Sequence, residues 1–431
     1  MKLKKSFLPS LWTILMSMVK GPTTCFSKTT TSGVSVGASP TTSHNLKVDL
    51  HTHHLPPVYK EALLAANYTH IDGFSLSAVE GNAFLWTPQA HQDLNARVGI
   101  EKSYLSITSP GVHLVPGEDR AAAELAREVN DYTASLCRDK PEEFGMFASL
   151  PLPDLDASLD EVRRMRRRWN VNAFVVLSNA HGVYIGDEAL GALYEELNEA
   201  RSVVLVHPTS PCLQLHKAAP LNQSTSSWPP NAIYEGSEIV FSDHRDRSPR
   251  IVHANPTHFI DPMIEFPFET ARVAAKLVLN GIVSKYPHIR WILPHGGGAL
   301  LPLVERIGSL AQGSSYLQAR DSTTTSGSDD RNQTIPQEAE DSFADQVRRF
   351  YFDLAGFPMP HQLPSLLDLF PSLEEASHKI VYGSDYVWTT SKTVERVASQ
   401  LEEGLPSLLG GEKHLVTRIW RGNAQALMNG Q

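Results

Sequence analysis

Eight short apolar segments recur along the chain, and amphipathic stretches with helical periodicity separate them. Each segment is nearly continuous in hydrophobic and β-branched residues, which is typical of parallel strands that helices cover on both faces. Strands that alternate with helices in this way predict an α/β fold, a (β/α)8 barrel, with a doubly wound parallel sheet as the alternative. The segments are LKVDLH (46–51), KSYLSIT (102–108), FGMFASL (144–150), NAFVVLS (172–178), SVVLVH (202–207), IRWILPH (289–295), RFYFDLA (349–355) and KIVYGSD (379–385).

Two long segments interrupt this alternation within the barrel domain, which we expect to span residues 46–430. Residues 211–262 follow the fifth strand and are rich in Pro, Ser, Asn and His. A loop after a barrel strand lies on the face that carries active sites, so this insertion is predicted to be a lid. Residues 312–345 precede the seventh strand, on the opposite face, and contain DSTTTSGSDDRNQT. That polar sequence has little to bury and predicts a disordered loop.

The first 45 residues have a different composition and are excluded from the fold. Lys2, Lys4 and Lys5 precede the apolar run SFLPSLWTILMSMV, and a tail rich in Ser, Thr and Gly follows. Such a layout in residues 1–20 is typical of a signal peptide or a membrane anchor, and a disordered extension is the alternative. The three cysteines form no disulfide framework. Scarce cysteine favours a reducing compartment, so a cytoplasmic location is slightly favoured over the secretory pathway.

The net charge of the chain argues against a nucleic-acid partner. The 431 residues carry a formal net charge of -9, whereas proteins that bind nucleic acids usually present a basic face. The one basic run, EVRRMRRRW, falls in a helical pattern, and we interpret it as a solvated helix face. No nucleic-acid partner is therefore expected.

Residues that can bind a metal stand where four of the predicted strands end. His51 and His53 end the first strand, His207 the fifth, His295 the sixth and Asp385 the eighth. In a barrel these ends meet at one rim. The two histidines of HTH point to the same side of an extended chain, which suits a divalent metal with nitrogen affinity, Zn²⁺ first and Mn²⁺ as the alternative. His207 and Asp385 would complete the protein ligands and leave one position open, as in catalytic sites.

Four segments of the chain carry a family resemblance. They read VDLHTHHLP, VLVHP, FPFETARVAAKLVLNGIVSKYPHIRWILPHGGGAL and YGSDYVW. Together they are similar to the amidohydrolase-related metal-dependent decarboxylases, a group that includes aminocarboxymuconate-semialdehyde and resorcylate decarboxylases. Within that group the chain looks most similar to fungal 6-methylsalicylate decarboxylases. The resemblance covers residues 46–430 and implies an amidohydrolase-like barrel, a bound divalent metal and a homodimer.

The resemblance also implies roles for the residues at the barrel rim. His51, His53, His207 and Asp385 match the family's metal ligands, and Asp385 can also move a proton. His295 matches the histidine that orients or activates water at the metal. The fourth strand ends in VVLSNAHG, without the lysine that bridges two metals in many hydrolytic relatives, so one metal ion is expected.

The implied activity is the non-oxidative decarboxylation of an ortho-hydroxy aromatic acid, a small aromatic carboxylate. The specific expectation is 6-methylsalicylate giving 3-methylphenol and CO₂ in fungal polyketide secondary metabolism. His295 and Asp385 would be the catalytic pair, and Phe74, Trp86 and Phe357 are candidate apolar walls for the ring. Two alternatives use the same ligands: a hydrolase of a lactone, amide or ester, and a non-catalytic barrel that binds a metal.

Overall fold

A computed structural model gives the fold of most of the barrel domain. The predictions for residues 1–45, for most of the lid at 211–262 and for most of the loop at 312–345 lie outside the described residues. The described residues are 46–76, 85–215, 250–253, 259–313 and 341–429.

Each of the eight predicted strands is present, and each runs parallel to the neighbour it pairs with. The third strand is split at Phe147 into two short stretches. The strands are β1 (Lys47–His53), β2 (Ile100–Ser106), β3 (Phe144–Met146 and Ala148–Ser149), β4 (Ala173–Leu177), β5 (Val203–His207), β6 (Arg290–Leu293), β7 (Tyr351–Asp353) and β8 (Ile380–Val381).

These strands close into a barrel. β1, β2 and the first part of β3 pair in sequence order, and the second part of β3 continues through β4 to β8. The Phe147 N–H donates to the Leu105 carbonyl over 2.9 Å, which carries the pairing across the split. At the other edge the Leu50 N–H donates to the Tyr382 carbonyl over 3.0 Å and joins β1 to β8. The predicted (β/α)8 barrel is confirmed, and the doubly wound alternative is wrong.

Helices cover the outside of the barrel, and some of them begin at a residue whose side chain caps the helix. The fourth helix, for example, begins after Asp154, whose carboxylate accepts from the Ala157 N–H over 3.1 Å, and ends at Asn170 in the left-handed region. The helices are α1 (Pro57–Ala65), α2 (Pro88–Val98), α3 (Asp119–Asp139), α4 (Leu155–Trp169), α5 (Gly191–Glu199), α6 (Glu265–Leu279), α7 (Ile282–Lys285), α8 (Val304–Gly313), α9 (Phe343–Val347), α10 (Gln362–Asp368), α11 (Leu373–Ser377), α12 (Ser391–Leu408), α13 (Lys413–Thr417) and α14 (Asn423–Asn429).

Two layers of apolar side chains account for the continuous hydrophobic runs in the sequence. In β5, Val203 and Leu205 belong to the cluster that fills the barrel interior. Val204 and Val206 belong to the larger cluster between the strands and the helices. Because both faces of each strand are buried, the strand needs hydrophobic residues at consecutive positions rather than at every second one.

The segment after β5 is described only in part. Cys212–Leu215 pairs antiparallel with Arg250–His253, and Asp261–Met263 forms a short 3-10 turn before α6. The lid at this position therefore stays a prediction. Among the described residues, no helix combines the length and the hydrophobicity that crossing a membrane requires.

Candidate metal centre

Strand β1 brings two histidines to the mouth of the barrel. His51 and His53 are two residues apart in extended backbone, so their side chains leave the strand on the same side. Both are fully buried. Their Nε2 atoms lie 3.1 Å apart. Donor atoms on one tetrahedral ion with bonds of about 2.0 Å are ~3.3 Å apart, so the pair is spaced to share a single ion.

His207 and Asp385 complete a group of four metal-binding side chains. His207 is the last residue of β5, and Asp385 follows β8. One donor atom from each of the four residues lies within 4.8 Å of the other three. Asp385 Oδ1 is 3.6 Å from His51 Nε2 and 3.4 Å from His53 Nε2. Three imidazoles and one carboxylate fit a divalent cation such as Zn²⁺ or Mn²⁺, and the described residues contain no second group of this kind.

A buried carboxylate orients His51. The His51 Nδ1–H donates to Asp353 Oδ2 over 2.7 Å, and both side chains are inaccessible to solvent. The other oxygen, Oδ1, accepts from the backbone N–H groups of His295 (2.9 Å) and Ala355 (3.0 Å). Asp353 therefore orients the His51 imidazole and caps two backbone N–H groups at the same time. With Nδ1 protonated, Nε2 keeps the lone pair that a metal requires.

The other two imidazoles are held in the same tautomer. His207 Nδ1 lies 2.6 Å from the Pro208 carbonyl, which can only accept. His53 Nδ1 lies 3.2 Å from Ser106 Oγ, whose own proton goes to a backbone carbonyl. Each Nδ1 is therefore a donor, and each Nε2 is left as an acceptor facing the centre of the group.

The charges around the group favour a cation at its centre. Burial lowers the pKa of His51, but the carboxylates of Asp353 and Asp385 outweigh it and raise that pKa to about 9. Burial raises the pKa of Asp385, but hydrogen bonds from His295 and His53 and the charges of His51 and His295 hold that pKa well below its usual range. Ionised carboxylates next to buried imidazoles need a compensating positive charge, which a divalent metal supplies.

The backbone after β8 approaches β1 closely enough to place Asp385. The Asp385 N–H donates to the His51 carbonyl over 2.9 Å, and Asp385 adopts a left-handed φ of 59°. A Cβ on Gly383 would lie 2.7 Å from the His51 Cβ, so the glycine of YGSD is required by this close approach. The Thr389 hydroxyl donates to Asp385 Oδ2 over 3.2 Å and holds the carboxylate in place.

A glycine-rich turn places His295. His295 has a left-handed φ of 55°, and its Nε2 lies 3.7 Å from Asp385 Oδ2. The Gln362 side-chain amide donates to the carbonyls of Gly296 and Gly298, each over 2.9 Å, and so supports the turn. Sequence reasoning missed Gln362, because nothing local marks a residue whose hydrogen-bond partners lie 64 and 66 positions away.

A cavity of about 500 Å³ adjoins the candidate metal centre. His207, His295 and Asp385 all line it. Two of the three predicted ring contacts, Phe74 and Phe357, are also among its walls. An apolar cavity with a few polar groups at one end suits a small aromatic ligand.

Trp86, the third predicted ring contact, lies elsewhere. Its indole is 3% exposed and donates to His91 Nδ1 over 3.1 Å. Its ring packs edge-on against His54, and His54 bonds Thr133 through Nε2 over 2.6 Å, away from the centre. The expectation that Trp86 lines the substrate cavity is therefore corrected, since the start of α2 turns its side chain into the layer between strands and helices.

Comparisons with known proteins agree with this architecture. A family model described as amidohydrolase matches residues 107–429. The chain is similar to decarboxylase yanB of Aspergillus niger, with 29% identity over 360 residues, covering 83% of this chain and 81% of that protein. It is also similar to 6-methylsalicylic acid decarboxylase of Penicillium expansum, with 27% identity over 360 residues, covering 83% of this chain and 89% of that protein.

A solved structure matches the fold. It is dihydroxybenzoic acid decarboxylase from Polaromonas sp. JS666 with bound manganese and the inhibitor 2-nitroresorcinol. The TM-score is 0.61 at 20% sequence identity, and the match covers 89% of this chain and 96% of that one.

Proposed function

This chain belongs to the amidohydrolase family and is a decarboxylase of that family, and we propose that it removes CO₂ from an ortho-hydroxy aromatic carboxylic acid. The observation that carries the proposal is the set of four donor atoms within 4.8 Å of one another beside an apolar cavity. A hydroxy-acid substrate is further supported by the relative from Penicillium expansum, whose name specifies one.

Our specific proposal for the reaction is 6-methylsalicylate giving 3-methylphenol and CO₂, in a secondary metabolic pathway. The 27% identity to a 6-methylsalicylic acid decarboxylase supports it. We propose Zn²⁺ as the metal because three of the four ligands are imidazoles. The manganese in the structurally similar dihydroxybenzoic acid decarboxylase supports Mn²⁺ as the alternative.

In this reaction the electrons of the breaking aryl–carboxylate bond need a place to go. Cleaving an aryl–carboxylate bond directly would leave a carbanion in the ring plane, outside the π system. When a proton first adds to the carbon that bears the carboxylate, the electrons of the breaking bond return to the ring as CO₂ leaves. The site must therefore hold the acid in place and deliver one proton to that carbon.

The chain's own residues are arranged for these two tasks. His51, His53, His207 and Asp385 would hold the divalent metal, which would supply positive charge for the carboxylate and the ortho oxygen. His295 and Asp385 face the cavity with Nε2 and Oδ2 3.7 Å apart, and we assign the proton transfer to this pair. The proton comes from the pair and is replaced from solvent, so the overall change is one CO₂ lost for one proton gained.

The cavity walls hold the aromatic ring of the substrate beside His295 and Asp385. Phe74 and Trp388 pack with their ring centroids 5.5 Å apart and form one apolar side. Phe357 lines the cavity and is 66% exposed, at the solvent side of the site. Such walls exclude water from the protonated ring carbon and strengthen the electrostatic interactions at the centre.

We also propose that the protein acts in the cytoplasm as a homodimer. Scarce cysteine supports the location, and the family resemblance supports the dimer. Exposed apolar side chains at Met263 and Phe268, 59% and 53% accessible, supply a surface that a second copy could bury. Light scattering of the purified chain tests the dimer, and imaging of a C-terminal fluorescent fusion tests the location.

The test of the proposed function is a direct assay. The purified, metal-loaded protein is incubated with a panel of hydroxybenzoates that includes 6-methylsalicylate, and CO₂ and phenols are quantified with and without chelator. We expect chelator-sensitive release of equal amounts of CO₂ and phenol. His295→Ala should retain metal but lose turnover. The same change at an exposed histidine, His288→Ala, serves as its matched control.

Two results would overturn the proposal. Hydrolysis of lactones, amides or esters by the same preparation, without CO₂ release from any acid, would favour a metal-dependent hydrolase. Full metal binding with no turnover of either class of substrate would indicate a non-catalytic barrel.

A further inference from the structure

Strand β1 contains a buried carboxylate that is not among the four candidate metal ligands. Asp49 precedes His51 by two positions and is inaccessible to solvent. Its Oδ1 atom accepts two hydrogen bonds, from the His51 N–H over 3.0 Å and from the Ser384 N–H over 3.1 Å. Because Ser384 directly precedes Asp385, this oxygen joins the two chain segments that carry candidate ligands.

An irregularity in the pairing of β1 explains why His51 takes a side chain as its acceptor. Asp49 pairs with Ser103 of β2, and Thr52 pairs with Leu105. Three steps along β1 therefore match two steps along β2, which is the pattern of a β-bulge, and a bulge bends the strand and redirects its side chains. His51 lies within this bulge and has no partner in the register with β2. A buried N–H group needs an acceptor, and here the Asp49 carboxylate supplies it.

The carbonyl group of His51 ties the same two segments together from the other side. It accepts from the N–H groups of Ser384 over 3.1 Å and of Asp385 over 2.9 Å. The backbone of His51 is therefore held at both ends, through Asp49 at its N–H and directly at its C=O. In this arrangement His51 Nε2 lies 3.6 Å from Asp385 Oδ1, close to the ~3.3 Å that separates two donor atoms on one tetrahedral ion.

Fold stability alone does not account for a carboxylate at this position. In the part of the chain that the structure describes, Asp49 Oδ2 is buried and accepts no hydrogen bond. A buried oxygen without a donor costs free energy that an apolar side chain of similar size would not cost. The two hydrogen bonds at Oδ1 are what an apolar residue could not provide.

We propose that Asp49 is a positioning residue for the metal centre: the two hydrogen bonds at its Oδ1 hold β1 and the segment after β8 at the separation that lets His51 and Asp385 bind one cation. This inference rests on the proposed metal-dependent function and adds a residue to it. Asp49 binds backbone N–H groups, so it fixes where the His51 imidazole stands, whereas Asp353 fixes which ring nitrogen of His51 carries the proton.

Substitutions in the full-length protein test this role. Asp49→Ala removes the acceptor, and Asp49→Leu does the same without leaving a space. Asp49→Asn keeps an oxygen for the two N–H groups and removes the charge. Asp154→Ala is the matched control, because the half-buried Asp154 also accepts a backbone N–H, that of Ala157 over 3.1 Å, but at the start of α4.

The measurements are metal affinity and ligand geometry. Metal-stripped protein is titrated with Co²⁺ against a chromogenic chelator, and the visible absorption spectrum of the bound Co²⁺ reports the number and arrangement of its ligands. Melting temperature is measured on the same samples. A residue that only stabilises the fold would lower the melting temperature and leave the spectrum unchanged.

We expect Asp49→Ala and Asp49→Leu to bind Co²⁺ ~10-fold or more weakly than the wild type and to change its spectrum, because removing a group that supports a ligand typically costs about 10–100-fold in affinity. Asp49→Asn should recover most of that affinity, to within ~3-fold of the wild type, together with the wild-type spectrum. Asp154→Ala should lower the melting temperature alone.

The outcomes separate this inference from the function on which it rests. If the wild-type protein binds no divalent metal, or binds it and releases CO₂ from no acid, the proposed function fails. If the wild type does both, but a folded Asp49→Ala or Asp49→Leu protein keeps the wild-type affinity and spectrum, the role of Asp49 is refuted while the decarboxylase function stands. Equal losses in the asparagine and alanine variants would attribute the effect to charge and would also refute positioning by hydrogen bonds.

Discussion

Replacing Asp353 by asparagine should cost the protein its metal affinity without disturbing its fold. Asp353 Oδ2 accepts from the His51 Nδ1–H over 2.7 Å, and Oδ1 accepts from two backbone N–H groups. Asparagine is nearly the same size, and its carbonyl oxygen can keep the two backbone bonds. Its NH₂ group then faces His51 Nδ1, where a donor would meet a donor.

His51 can relieve that conflict only by changing its tautomer. When Nδ1 becomes the acceptor, the proton moves to Nε2, the atom that lies 3.1 Å from His53 Nε2 in the ligand group. A protonated Nε2 cannot bind a metal. Loss of an orienting partner typically costs 10–100-fold in metal affinity, and we expect Asp353→Asn at the upper end, about 100-fold, because one of four ligands is also blocked.

The assay is a competition titration of Zn²⁺ and Mn²⁺ against a chromogenic chelator, with the decarboxylation rate measured on the same samples. Asp119→Asn is the matched control, because Asp119 accepts from His113 Nε2 over 2.8 Å outside the metal centre. Excess metal should restore part of the rate of Asp353→Asn, whereas Asp119→Asn should behave as wild type. Native metal affinity in a folded Asp353→Asn protein would refute the tautomer argument.

Three further predictions test other parts of the structure. Gln362→Met removes the amide that supports the turn after His295, so kcat should fall ~10-fold or more while metal content, measured by mass spectrometry, stays at the wild-type level. Phe357→Ala shortens an exposed wall of the cavity, so KM should rise several-fold with little change in melting temperature; an unchanged KM would remove Phe357 from the binding surface. Burial, with the nearby His54 and His53, lowers the pKa of His91 from 6.5 to about 3. As the pH falls, the unfolded chain therefore binds a proton at His91 before the folded protein does. The stabilisation that this difference gives is present above pH 6.5 and is lost below it, and the free energy of unfolding falls by about 2 kcal/mol between pH 6.5 and pH 5. Urea unfolding of chelator-treated protein should show a shallower decline for His91→Gln than for wild type over that range, and equal slopes would contradict the assignment.

The sequence predicted the barrel because each strand is buried on both faces. A residue such as Val204 or Leu205 is apolar whichever layer it faces, so the runs stand out without any alignment. The candidate ligands were equally visible, since His51, His207 and Asp385 stand at the ends of such runs and the ends of parallel strands meet at one rim.

The residues that sequence reasoning placed wrongly or missed depend on side-chain direction or on distant partners. Trp86 is close in sequence to the cavity residue Phe74, but its side chain points toward His91, which local spacing does not reveal. Asp49 accepts from the N–H of Ser384, which is 335 positions away. Contacts of this kind exist only after the barrel has closed, so no local pattern predicts them.

Anomalous diffraction from crystals of the metal-loaded protein, collected at the absorption edge of the metal, tests the central claim most directly. We predict one peak, at about 2.0–2.2 Å from the Nε2 atoms of His51, His53 and His207 and from Asp385 Oδ1. A peak bound by other residues, or the absence of any peak at the barrel mouth in fully loaded protein, would contradict it.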